Sequence, residues 1–254
     1  MRPPAIPAMS AVPLAGLPEV RAGDDLGALI VAAGEPLGDG DVVCVAHKVV
    51  SKAEGRLRRL ADVDPGERAR EMAARLDRDP RQVQVVLDEA TEVIRDERVL
   101  ICRTRHGFVC ANAGVDASNA GEPEAVVLLP EDPDASARAL RARLRELTGA
   151  APAVVVSDSF GRPWRQGQAE VAIGCAGLRP LDDWRGRADR DDRALTATWI
   201  AVADQAAAAA DLARAGKDAG EPVVVVRGLA RHVTAQDGPG AATLVRPRAE
   251  DLFG

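Results

Sequence analysis

The chain has 254 residues, 46% hydrophobic and 28% charged, with a formal net charge of -6. That profile suits one large soluble domain or two intimately joined lobes, and the negative balance argues against a general nucleic-acid binder. With 3 Phe, 3 Trp and no Tyr, the chain lacks aromatic platforms for single-stranded nucleic acid and must build its core from Val, Leu, Ile and Ala.

In chain order, residues 1–12 are Pro- and Ala-rich and are expected to be disordered, leaving 13–254 as one domain. Residues 16–20 form a loop. Asp24 and Asp25 cap a helix running to about Ala33. A Gly/Asp turn at 38–41 leads into a strand at 42–46. Residues 65–76 have helical spacing, and 82–87 read as a short strand. Residues 99–111 form a hairpin turning near His106 and Gly107. Another short strand covers 126–129. A helix spans 134–148, with Leu140, Leu144 and Leu147 recurring and Gly149 as its stop. A strand at 153–157 follows, then a mostly Ala-rich helix at 194–215 and a buried strand at 223–226. Helices, strands and hairpins mix without a clean βαβ rhythm, so the expected class is α+β.

No GxxxxGK[ST] occurs, since Gly216-Lys217 is followed by Asp218, and no GxGxxG follows a strand. A P-loop enzyme and a Rossmann dehydrogenase are both disfavoured. Cys44, Cys102, Cys110 and Cys175 have no CxxC spacing and read as small buried hydrophobes. No leader or membrane-spanning run is visible, so a cytoplasmic location is expected.

Residues 154–168 (Val-Val-Val-Ser-Asp-Ser-Phe-Gly-Arg-Pro-Trp-Arg-Gln-Gly-Gln) are the most informative stretch. A buried strand ends in Asp158 and Ser159, with Arg162 and Arg165 just behind. That mixture suits a metal and a polyanion, with the arginines meeting phosphate or carboxylate; Trp164 packing on arginine stems is the plainer alternative. Asp116 and Asn119 follow the hairpin. They offer oxygens to a hard cation or satisfy a local turn; paired with Asp158, Asp116 makes a plausible Mg²⁺ or Mn²⁺ cradle. Ser51, Lys52 and Arg56 suit phosphate, with Glu54 holding Lys52, or else form a solvated turn. The alternating charges of 182–193 suit a solvated loop or a subunit contact. The polar segment Thr234, Ala235, Gln236, Asp237, Gly238, Pro239, Gly240, Ala241 is a phosphate-facing loop or a plain turn.

In their order along the chain, these segments resemble the coenzyme F420-0:L-glutamate ligase family. The matching pieces are Gly-Leu-Pro-Glu at 16–19, Gly-Asp-Asp-Leu at 23–26, Asp-Gly-Asp-Val-Val at 39–43 and Lys-Val-Val-Ser-Lys-Ala-Glu-Gly-Arg at 48–56. They continue with Ala-Gly-Val-Asp-Ala-Ser-Asn at 113–119, the 158–168 segment, 172–178, 222–228 and Glu-Asp-Leu-Phe at 250–253.

The resemblance implies a GTP-dependent amide ligase of that family's fold. It would join L-glutamate to coenzyme F420-0, and γ-linked glutamate to F420-1, through an acyl phosphate. It also implies that Leu17, Pro18, Glu19, Val20, Lys52 and Asn119 contact GTP, with His47 in a GTP-contacting turn where a small polar residue is usual. Asp116 and Asp158 would hold one divalent cation. Ser159 and Gln236 would serve a second, and K⁺ is a further candidate ion. The loop from Thr234 to Ala241 would be a nucleotide segment and the assembly a homodimer. Arg162 and Arg165 would stabilise substrate phosphate or carboxylates beside Asp158. A metal-dependent phosphohydrolase and a non-catalytic deazaflavin-precursor binding protein are the competing readings.

Overall fold

The runs Val42–Ala46 and Val223–Arg227 are apolar at nearly every position, so neither face can be left to water, and sheets of this kind are covered on both sides. The structure, a computed structural model describing residues 8–214, 216 and 219–251, buries both runs in the middle of one sheet. In chain order its elements are β1 (Ser10–Pro13), α1 (Leu26–Ala32), β2 (Val42–Ala46), α2 (His47–Ala53), β3 (Leu57–Arg59), α3 (Glu67–Leu76) and α4 (Pro80–Glu89). Next come β4 (Ala90–Glu97), β5 (Val99–Thr104), β6 (Val109–Ala111), β7 (Ala125–Val127) and α5 (Pro133–Thr148). The remainder is β8 (Ala153–Arg162), β9 (Arg165–Ala176), β10 (Leu181–Asp183), β11 (Trp199–Ala201), α6 (Val202–Ala213) and β12 (Val223–Arg227).

The main sheet is five-stranded, in the order β1-β12-β2-β8-β9. Only β2 and β8 are parallel; the other neighbours are antiparallel. The fold is therefore mixed α+β, not a doubly wound parallel sheet. On one face Val43, Val45, Val154 and Val156 pack with Ile30 of α1, Val50 of α2 and Leu140 and Leu144 of α5. On the other, Val42, Cys44, Val155 and Val224 meet Ala203, Ala206, Ala207 and Ala210. Those alanines let α6 lie close to the strands. A separate cluster joins α3 and α4 to the sheet β4-β5-β6 through Met72, Val83, Val86, Leu100 and Cys102. All four cysteines are buried and unpaired. Among the described residues no helix is long and apolar enough to cross a membrane.

Local chemistry explains the boundaries. Asp25 caps α1 by accepting from Ala28 N, and Asp132 caps α5 by accepting from Ala135 N, with Pro133 entering the first turn. Gly149, in the left-handed region, ends α5.

Four expectations are corrected. Residues 82–87, expected as a strand, lie in α4; Asp79 caps it through Arg81 N and Pro80 starts it. Residues 10–12, expected to be disordered, belong to β1, whose backbone pairs with β12; 1–7 lie outside the described residues. The helix expected over 194–215 is confined to Val202–Ala213, preceded by β11, and Ala215 lies outside the described residues. Finally, β8 does not stop at Ser157. It runs through Arg162 and turns back as β9.

Candidate active site

The parallel pairing of β2 with β8 places Ala46 opposite Ser157. The residues just beyond, His47 on α2 and Asp158 on β8, therefore emerge side by side at the same sheet edge. Ligands commonly bind outside the carboxyl ends of parallel strands. A register shift between Val156 and Ser157 immediately precedes Asp158. The extra residue, Ile173, lies in β9, and such bulges increase the local twist of the strand pair. His47 Nε2 lies 3.3 Å from Asp158 Oδ1, and His47 Nδ1 lies 3.3 Å from Ser51 Oγ. His47 is 2% exposed, so it acts as a wall and partner for Asp158 more than as a surface contact.

Asp116 lies between β6 and β7, outside the named strands. Its backbone bridges Val127, and its carboxylate accepts from Ser118 N at 2.7 Å. The self-satisfied turn is thus present. Lys48 Nζ lies 2.7 Å from Asp116 Oδ2 and donates to Ser118 Oγ at 2.7 Å. Burial alone would raise the Asp116 carboxyl, but the Lys48 ammonium and the Ser118 N–H hold it below the ordinary carboxylate value.

A cavity of about 540 Å³ is lined by Leu17, Pro18, Glu19, Val20, His47, Lys48, Lys52, Asp116, Asn119, Asp158 and Ser159, among others. A second, of about 360 Å³, shares Asp116, Asp158, Ser159 and Gln168 with it. Lys52, nearly buried, lies 2.5 Å from Glu19 Oε1. Gly121 (φ +81°) permits this closure, since a Cβ there would sit 2.8 Å from Glu19 Oε1. Glu54 does not hold Lys52 as expected; it accepts from Ser136 Oγ at 2.5 Å. Arg56 is occupied by Glu89 at 2.9 Å and the Leu129 carbonyl at 3.0 Å, which makes it a structural brace.

Two carboxylates and a hydroxyl, Asp116, Asp158 and Ser159, thus share one concave surface. These hard oxygen donors fit Mg²⁺ or Mn²⁺, which use few protein carboxylates and complete their shells with water and phosphate. Among the described residues no group of three or more His, Cys, Asp or Glu converges as a dedicated metal cage.

Other expected residues lie elsewhere. Arg162 and Arg165 flank the exposed turn of the β8–β9 hairpin and line neither cavity. Each strand residue advances about 3.3 Å, so the continued strand carries Arg162 well past Asp158. Arg162 donates instead to the Gln166 carbonyl at 2.6 Å. The segment from Thr234 to Ala241, with Gln236, also lines neither cavity. Arg141 clamps it, donating to Asp237 Oδ1 at 2.7 Å and the Thr234 carbonyl at 2.8 Å. At its far end Ala241 N donates to Asp134 Oδ1 at 2.7 Å. Within one copy of the chain, Gln236 is therefore not brought to Asp116 and Asp158.

Lys48, Ser157, Gln168, Glu170, Asp211 and Arg214 also line the larger cavity, and none was expected. Gln168 and Glu170 are two apart on β9, opposite Gly161 and Ser159. Recognising a hairpin in the 160–165 turn would have pointed to them.

The family described as F420-0:Gamma-glutamyl ligase matches residues 16–228. A Coenzyme F420:L-glutamate ligase of Methanothermobacter thermautotrophicus is 44% identical over 250 residues, covering 96% of this chain and 98% of that protein. One from Methanopyrus kandleri is 46% identical over 237 residues, covering 92% and 93%. One from Halobacterium salinarum is 51% identical over 225 residues, covering 86% and 87%. With this identity spread along nearly the whole chain, the protein belongs to the F420-0:gamma-glutamyl ligase family and is a ligase.

Proposed function

We propose that this chain ligates L-glutamate to coenzyme F420-0, and γ-linked glutamate to F420-1, at the expense of GTP. The observation that carries the reading is the single cavity shared by Leu17, Pro18, Glu19, Val20, Lys52, Asn119, Asp116, Asp158 and Ser159. The names of the relatives support the glutamate and F420 substrates.

A carboxylate is a poor acyl electrophile at neutral pH. Transfer of the GTP γ-phosphoryl to a substrate carboxylate oxygen breaks the bond to GDP and forms an acyl phosphate. The glutamate amine then attacks the acyl carbon, phosphate leaves with the bonding pair, and the surplus amine proton is lost. Asp116 and Asp158 would hold one divalent cation and Ser159 would help hold a second, and ions bound there would neutralise charge on the phosphate oxygens. Lys52, positioned by Glu19, meets nucleotide phosphate as a point charge. Leu17, Pro18, Val20 and Asn119 orient the nucleotide, and His47 keeps Asp158 aimed into the cavity. The protein's contribution is positioning and electrostatics.

The test is incubation with F420-0, GTP, glutamate and Mg²⁺ or Mn²⁺, with and without K⁺, followed by mass spectrometry. Added glutamyl units and GDP are expected. Phosphate release without glutamate, and no glutamylated product, would instead identify a phosphohydrolase. No turnover of nucleotide would identify a binding protein. A homodimer belongs to the same proposal and is read by light scattering.

A further inference from the structure

Ser159 and Glu170 face each other across the β8–β9 pair. Ser159 Oγ donates to Glu170 Oε1 at 2.6 Å. Glu170 is 6% exposed, yet it reaches the larger cavity. Behind it, Arg214 Nη1 lies 3.5 Å from Glu170 Oε2 and 3.7 Å from Asp211 Oδ1. Burying a carboxylate is costly unless a charge or hydrogen bond compensates it. Here an arginine and a serine hydroxyl both do so, beside a cavity wall.

An ionised carboxylate has acceptors only, whereas a serine hydroxyl has one hydrogen and two lone pairs. Holding that hydrogen on Glu170 turns Ser159 Oγ into an acceptor toward whatever enters the cavity. A hydroxyl facing a hard cation needs that orientation, because its hydrogen must point away from the ion. We propose that Glu170 is a positioning residue that orients Ser159 for a divalent cation, with Arg214 balancing its buried charge. The inference rests on the reading of Ser159 as a cation-holding residue. Neighbours that orient direct ligands in this way change metal affinity by roughly 10–100-fold.

The experiment measures Mn²⁺ affinity by calorimetry in the presence of GDP, on the full chain, for wild type, Ser159→Ala, Glu170→Met and the double variant. Thermal melting checks that each is folded. Methionine removes the oxygen acceptor, which glutamine would keep. Ser159→Ala and Glu170→Met are each expected to weaken Mn²⁺ about tenfold or more, and the double variant to be no weaker than Ser159→Ala alone. A merely structural Glu170 would add its loss to that of Ser159→Ala, and such additivity overturns the inference. So does wild-type affinity in Glu170→Met when Ser159→Ala is weakened. Unchanged affinity in Ser159→Ala removes the reading of Ser159 itself, and the inference with it. Glu170→Asp keeps the charge near Arg214 but withdraws the acceptor from Ser159. It is expected to show the same loss and serves if Glu170→Met does not fold.

Discussion

His47 Nε2 and Asp158 Oδ1 lie 3.3 Å apart at the adjacent ends of the two parallel strands. A buried imidazole thus packs against one oxygen of an acid that faces a cavity. The Ser159 N–H reaches the same oxygen at 2.8 Å.

Asp158→Ala removes that carboxylate and is expected to lower ligation by several powers of ten, about the scale seen when a preorganised electrostatic group is lost. Product formation measured by mass spectrometry reads this directly. Near-wild-type turnover would rule out a cation at Asp158.

Lys52→Ala should weaken nucleotide binding while the fold persists. Glu19, its partner, has a side chain 59% exposed, so water can solvate the carboxylate left behind. A tenfold loss of GTP affinity, about 1.4 kcal/mol, is expected by calorimetry. Equal affinities in the two proteins would show that Lys52 touches no phosphate.

The parts of the fold that were legible are those where the side chains alone decide. The Val-rich strands at 42–46 and 223–226 could only be buried, and the leucine spacing of α5 could only be helical. By contrast, residues 82–87 carry apolar side chains in both the helical and strand patterns; the arbiter was the Asp79–Pro80 start. The polar first half of β9 gives no strand signal, because it is held by backbone pairing to β8. The same holds for the candidate site. Asp116, Asp158 and Ser159 stand out as acids and a hydroxyl beside apolar strands. Glu170 and Arg214 matter only through the register of one hairpin and the end of a helix, which no local pattern encodes.

Gly174 and Gly161 give a paired test of the β8–β9 hairpin packing. A Cβ at Gly174 would lie 2.2 Å from the Pro133 carbonyl oxygen, at the start of α5, whereas a Cβ at Gly161 would meet nothing within 4 Å. Gly174→Ala is expected to destabilise by roughly 1–3 kcal/mol, because backbone must move to admit the methyl group. Gly161→Ala should stay within about 0.5 kcal/mol. Urea denaturation of both variants checks this, and equal midpoints would contradict the close approach of β9 to α5.

Arg162→Ala and Arg165→Ala probe the hairpin turn. Both side chains are exposed and neither lines a cavity. Each substitution is expected to leave Mn²⁺ affinity unchanged and to shift stability by no more than about 0.5 kcal/mol. A loss of Mn²⁺ affinity in either variant would show that the turn folds back on the cation site.

The cysteines should be chemically silent in the native protein. Burial pushes the thiols of Cys44, Cys110 and Cys175 up from an ordinary 9.0 to about 12, and raises Cys102 as well. The thiolate is the reactive form, so at pH 8 a thiol near 12 is ionised to only about one part in ten thousand. Iodoacetamide is expected to leave all four unmodified until denaturant is added. The same shift sets a sign for stability. Below pH 9 both folded and unfolded thiols are protonated and the contribution is intact. As pH rises from 9 towards 12 the unfolded chain loses protons first, so folding weakens with increasing pH. Urea midpoints should therefore fall across that window. Substituting Ala for a buried cysteine costs packing at every pH but should flatten the alkaline fall, and an unchanged slope would assign the fall to other groups.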